Sequence, residues 1–165
     1  MARKSSKSSK SSKSTLSLAQ IRKLIDLDEP DYEALAKQLG PAAIPQLQTI
    51  VKGSDPMLAS KATYLVSLIP DGRSADVLTV AAKSPHATVR VAAASAARNL
   101  QQTEKITEMM SELLKDPDLG VRKVSLRSIE VRPEIGPKEM VMKLATNDPD
   151  DSIRDIASQL INHLP

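Results

Sequence analysis

Four basic side chains recur at one place in the chain's punctuation. Lys61, Arg90, Arg122 and Arg154 each stand five residues after a proline, at Pro56, Pro85, Pro117 and Pro149. Asp55, Asp116 and Asp148 immediately precede three of those prolines. Guanidinium groups at a regular spacing could grip a row of phosphates. They could equally satisfy carboxylates, because an aspartate at a helix start accepts backbone N–H groups and keeps lone pairs for a nearby cation. Little else in the chain offers chemistry. His86 and His163 are far apart, with no His or Cys at ligand spacing, which speaks against a transition-metal site. The absence of cysteine excludes a thiolate metal site, a cysteine nucleophile and a disulfide framework. Five glycines form no phosphate-binding loop. The acids Asp148, Asp150 and Asp151 lack calcium-loop spacing and are explained by helix capping. No catalytic or metal-ligating residue and no cofactor is expected.

The basic residues need elements to carry them, and the proline intervals of 29, 32 and 32 residues define those elements. A repeat in that range signals stacked supersecondary units. From Ser17, which reads as an N-cap, Leu18, Ile21, Leu24 and Ile25 recur at helical spacing. Asp28-Glu29-Pro30 breaks this helix, and Tyr32, Leu35 and Leu39 mark a second before Gly40-Pro41. This opening pair, residues 15–40, fits the repeat poorly and reads as an N-terminal cap, which arrays need to cover an exposed apolar end. Units then cover about residues 41–69, 71–100, 102–132 and 136–165. First helices are predicted over about 42–52, 73–83, 103–115 and 137–146. Second helices are predicted over about 57–69, 86–100, 118–131 and 150–164. No useful strand alternation occurs, so the fold class is all-α.

Composition agrees. Hydrophobic residues are 41% of 165, yet Tyr32 and Tyr64 are the only aromatics. A core of Leu, Ile, Val, Ala and Met suits many modest helix–helix contacts. The net charge of +3 is uneven. Residues 1–14 hold Arg3, Lys4, Lys7, Lys10 and Lys13 and no acid, leaving 18 basic against 20 acidic side chains elsewhere (23−5 = 18). A mildly acidic body argues against nucleic-acid binding by the folded part. No run approaches the ~18 apolar residues of a membrane span, and the first fourteen residues lack a secretory apolar stretch. With zero cysteines this is consistent with a cytoplasmic, reducing location.

The motif Asp-Pro, then Val/Ile-Arg, then an alanine-rich helix resembles HEAT repeats, specifically the short HEAT-like type associated with phycobilisome lyases. It is carried by Pro85…Val89-Arg90-Val91-Ala92-Ala93, Asp116-Pro117…Val121-Arg122 and Asp148-Pro149…Ile153-Arg154-Asp155-Ile156-Ala157. The match covers about residues 41–164. The spacing is shorter than the ~40–47 residues usual for HEAT units. Ser60-Lys61 and Ser84 depart from the pattern. The resemblance implies a right-handed α-α superhelix, a HEAT-like solenoid of about four helix pairs behind the cap. It also implies a ladder of bonds between neighbouring repeats, with Asp55, Asp116 and Asp148 as acceptors and Lys61, Arg90, Arg122 and Arg154 as donors.

At 100° per residue, positions four, seven, eight and eleven after each second-helix proline share one face. They are Val89, Ala92, Ala93 and Ala96; Val121, Val124, Ser125 and Ser128; Ile153, Ile156, Ala157 and Leu160. This is the predicted buried stripe. Positions six, ten and thirteen lie opposite, where a HEAT-like array presents its concave surface. They read Ala62, Val66, Ile69; Val91, Ser95, Arg98; Lys123, Arg127, Glu130; and Asp155, Gln159, Asn162. Two readings of this row stand: a partner surface graded from apolar to polar and acidic, or a solvated face whose first, apolar segment packs under the cap. The candidate contact residues are Arg98, Lys123, Arg127, Glu130, Asp155, Gln159 and Asn162.

The Ser/Lys-rich residues 1–14 have nothing to bury and are expected to be disordered. They read as a solubilising leader, as a polybasic arm making salt-sensitive contacts to nucleic acid or anionic surfaces through Lys4, Lys7, Lys10 and Lys13, as a phosphorylated segment, or as a targeting leader. Three functions are weighed. The first is a non-enzymatic scaffold binding a protein or peptide along its second helices. The second, implied by the resemblance, is a phycobilin lyase-like or chromophore-handling component, opposed by the small size and scarce aromatics. The third is a nucleic-acid-binding protein, for which only the tail remains, since neither Trp nor Phe is present to stack a base.

Overall fold

The computed structural model describes residues 16–101 and 103–165. They form ten α-helices and, among the described residues, no strand. These are α1 (Leu18–Ile25), α2 (Tyr32–Leu39), α3 (Ile44–Val51), α4 (Pro56–Ser67), α5 (Arg73–Ala81), α6 (Ala87–Ala96), α7 (Glu104–Leu113), α8 (Leu119–Val131), α9 (Lys138–Asn147) and α10 (Asp151–Leu160). The predicted tail, residues 1–14 with Lys4, Lys7, Lys10 and Lys13, lies outside the described residues. No helix among those described is long and apolar enough to cross a membrane.

Local chemistry places the helix ends. Ser17 and Gln20 form a reciprocal capping box at the start of α1. Gly40 closes α2 with φ +59°, a conformation strained for any residue carrying a Cβ. Asp55, Asp118 and Asp150 cap α4, α8 and α10 through their side chains, and His86 occupies the N-cap of α6.

The second helices α4, α6, α8 and α10 form a row, each packed on the next. Each also packs on its own first helix: α3 on α4, α5 on α6, α7 on α8 and α9 on α10. One continuous aliphatic core runs from Ile21 to Leu164. The opening helices lie against the first pair, α1 on α3 and α4, and α2 on α4. The two tyrosines hold that junction edge to face, Tyr32 and Tyr64 with ring centroids 5.2 Å apart at 89°.

The structure corrects the register of the first unit. The N-caps fall at residues 55, 86, 118 and 150, spaced 31, 32 and 32 apart, more evenly than the prolines. Positions three, seven, eight, ten and eleven after the cap are buried in the three inner second helices. They are Leu58, Ala62, Thr63, Leu65 and Val66; Val89, Ala93, Ala94, Ala96 and Ala97; and Val121, Ser125, Leu126, Ser128 and Ile129. Pro56 therefore stands two residues later in its unit than Pro85, Pro117 and Pro149 stand in theirs, because Asp55 is itself the cap. Asp116 and Asp148 instead lie two residues ahead of theirs. In α10 the eighth position is Ser158, which is exposed where its counterparts are buried.

Candidate partner-binding surface

The acids and bases singled out by spacing divide into two groups. Arg90 forks onto Asp116 of the next helix pair, Nε to Oδ2 at 2.6 Å and Nη2 to Oδ1 at 2.9 Å. Arg122 forks onto Asp148 in the same way, at 2.8 and 3.0 Å. Each arginine also donates Nη1 to the carbonyl six residues earlier: Arg90 to Ser84, Arg122 to Asp116 and Arg154 to Asp148. The bonds thus run unbroken from Arg90 through Asp116, Arg122 and Asp148 to Arg154. Both aspartates use a remaining lone pair on a backbone amide, Asp116 on that of Asp118 and Asp148 on that of Asp150. Such an arrangement compensates the desolvation of both charges. Burial acts to raise the Asp116 pKa but is outweighed by the Arg90 fork, the Asp118 amide and the charges of Arg90 and Arg122, which leave it below its ordinary 3.8.

Lys61 and Asp55 do not join this chain. Four residues after each N-cap stand Ala59, Arg90, Arg122 and Arg154, so the counterpart of the arginines is Ala59. Lys61 donates instead to the Leu27 carbonyl at 3.3 Å, tying the α1–α2 connection to α4. Asp55 accepts the Met57 and Leu58 amides of its own helix. Ser84, the counterpart of Asp116, accepts the His86 amide. It keeps the turn but supplies no carboxylate. Arg154, in the last pair, is held by Asp151 on its own helix.

The predicted outer row also needs revision in its first unit. Ala62, Val66 and Ile69 are fully buried, because the shifted register turns them inward. Ser60, Tyr64 and Ser67 hold the positions that Val91, Ser95 and Arg98 hold in α6. In the later helices Arg98, Lys123, Arg127, Glu130, Asp155, Gln159 and Asn162 are all exposed. Of these, Arg127 and Glu130 are brought together, Nη1 to Oε2 at 2.7 Å, a solvent-screened pair contributing little to stability.

Beside the polar row lies a strip that the helical wheel had assigned wholly to the core. Ala92, Val124 and Ile156, each six residues after its N-cap, are only half-buried. Val131 at the end of α8 is exposed. The signal available in the sequence was their aliphatic character at a position where the first unit carries Lys61.

Among the described residues no group of three His, Cys, Asp or Glu side chains could hold a metal ion. His86 and His163 are both exposed and lie at opposite ends of different second helices. The acid run around Pro149 is used internally: Asp148 by Arg122, Asp150 as the α10 cap and Asp151 by Arg154. No family model matches the chain, and no curated protein matches it.

Proposed function

We propose that this chain is a short HEAT-like array, a right-handed α-α superhelix of about four helix pairs. It serves as a non-enzymatic scaffold for a protein or peptide partner. The partner lies across the solvent side of α6, α8 and α10. One observation carries the reading: the half-buried strip of Ala92, Val124 and Ile156 runs across three successive helices beside Arg98, Lys123, Arg127, Asp155 and Gln159. An aliphatic strip with a charged margin is the composition of a recognition surface, the apolar part supplying area and the charges supplying register. The linkage of Arg90, Asp116, Arg122 and Asp148 suits such a role, because it sets the relative placement of helix pairs whose outer faces must act together.

The test uses the full chain as bait, in parallel with Arg98→Glu/Arg127→Glu and Val124→Asp variants, with melting temperatures recorded for all three. A captured partner should protect α8 and α10 amides from hydrogen exchange, and both variants should release it without loss of fold. Capture undiminished by both variants, or protection confined to other helices, would refute the assignment.

A further inference from the structure

Where α4 ends and α5 begins, a cavity of ≈ 580 Å³ opens against the residues that follow α6. Its wall includes Ser67, Leu68, Asp71, Ala75, Asn99 and Thr103. We propose that this groove receives an arginine side chain from a partner polypeptide.

The chain itself provides the precedent. One helix pair further on, at the same end of the second helices, Arg132 donates Nη1 to the Arg98 carbonyl at 2.8 Å. Arg98 and Ser67 both stand twelve residues after their N-caps, so the two carbonyls are counterparts. The counterpart of Arg132 in the earlier groove is Leu100, two residues after Arg98 as Arg132 is two after Glu130. Leucine has nothing to donate. The Ser67 carbonyl is not served locally either. Pro70, three residues on, has no N–H, and the amide of Asp71 goes to the Ile69 carbonyl at 2.9 Å. A guanidinium thus serves this carbonyl position from within the chain at Arg98, while among the described residues no internal donor serves it at Ser67.

The remaining walls suit a planar cation. Asn99 spends its amide nitrogen on the Ser67 hydroxyl at 2.9 Å, which leaves its Oδ1 to accept. Asp71 contributes a carboxylate whose two oxygens already accept from the Arg73 side chain, which lowers its pKa to about 2, so it offers an incoming guanidinium its remaining lone pairs only. Arg73 is in turn anchored toward the first pair by its bond to the Pro41 carbonyl at 3.1 Å. The C-terminus of α4 adds the negative end of a helix dipole. A guanidinium carries five N–H donors in a rigid fork, against three on a compact ammonium, so arginine fits this set of acceptors better than lysine.

The proposal stands independently of the α6–α8–α10 surface, and the test keeps the two apart. The isotope-labelled full chain is titrated with three capped tripeptides, Gly-Arg-Gly, Gly-Lys-Gly and Gly-citrulline-Gly, while amide shifts are followed. The arginine peptide should shift the amides of Ser67, Asp71, Ala75 and Asn99 in a saturable way, with a Kd on the order of 1 mM for so small a ligand. Lysine should bind more weakly and citrulline, uncharged, weaker still. Asp71→Asn should weaken the arginine peptide by about fivefold or more, and Ala75→Leu, which fills the groove, should abolish binding while the melting curve stays cooperative. Arg127→Glu should change nothing. Equal binding of the citrulline peptide, shifts lying elsewhere, or no saturation would overturn the proposal.

Discussion

Arg122 and Asp148 meet across two helix pairs, guanidinium to carboxylate, at 2.8 and 3.0 Å, and their side chains are only 10% and 2% exposed. Twenty-six residues of chain separate them. The contact therefore reports how α8 sits against the start of α10, which neither helix could set alone. Removing one partner leaves the other charge buried, so Arg122→Ala should cost about 3–5 kcal/mol. The Arg90 and Asp116 side chains are 15% and 8% exposed, so Arg90→Ala should cost less than Arg122→Ala. Urea unfolding of the two variants checks both the size and the order. A loss below about 1 kcal/mol for Arg122→Ala would place the fork among surface pairs.

Lys61 and Asp55 should behave differently, since no bond joins them. Lys61→Ala removes one hydrogen bond to a carbonyl and should cost about 0.5–1.5 kcal/mol. Asp55→Ala removes a helix cap, for about 1 kcal/mol. The double variant should equal the sum within about 0.5 kcal/mol, whereas Arg90 and Asp116 should show a coupling of about 0.5–3 kcal/mol. Strong coupling of Lys61 with Asp55 would contradict the corrected register.

Acid should weaken the fold through Asp116. Its pKa is lowered in the folded chain from an ordinary 3.8, so the native state binds this proton less readily than the unfolded one. The resulting stabilisation is fully present above the unfolded value and is lost as pH falls through the folded one. Denaturant midpoints measured from about pH 5 to pH 2 should fall less steeply for Asp116→Asn than for the parent chain. Parallel curves would refute this contribution.

Gly136 marks a close approach at the far end of the molecule. A Cβ there would lie 2.6 Å from Ile129 Cγ2, 2.9 Å from Leu164 Cδ2 and 3.1 Å from the Pro133 carbonyl oxygen. Leu164 Cδ2 is a side-chain tip that can move, but Ile129 Cγ2 is fixed to the Cβ of a buried β-branched residue and the Pro133 oxygen is backbone. Gly136→Ala should destabilise by about 1–3 kcal/mol, read as a lower melting temperature. An unchanged melting temperature would show that Ile129 and Leu164 repack freely.

Much of this arrangement was legible in the residues. The helix positions follow from Ser17, Gly40-Pro41, Asp-Pro punctuation and aliphatic spacing, all local signals that act through backbone geometry and capping. Arg90, Arg122 and Arg154 were visible because each follows a β-branched residue ahead of an aliphatic helix. Lys61 was misread because Pro56 looks like the later prolines. A proline marks the first turn of a helix or the loop before it equally well, and only the buried set distinguishes the two. The same two-residue slip sent Ala62, Val66 and Ile69 to the surface on the helical wheel, although they are core. Ala92, Val124 and Ile156 erred the other way, because a wheel assigns direction but not what packs there.

The sequence by itself determined the helical class, the near-regular spacing and the lack of any metal-ligating cysteine, since these depend on residue type and short-range order. Tertiary structure decided which charges pair, that Lys61 serves the opening helices, and that, among the described residues, none donates to the Ser67 carbonyl as Arg132 does to that of Arg98. Those outcomes depend on distances between residues about thirty positions apart, set by helix packing rather than by any local preference of the chain.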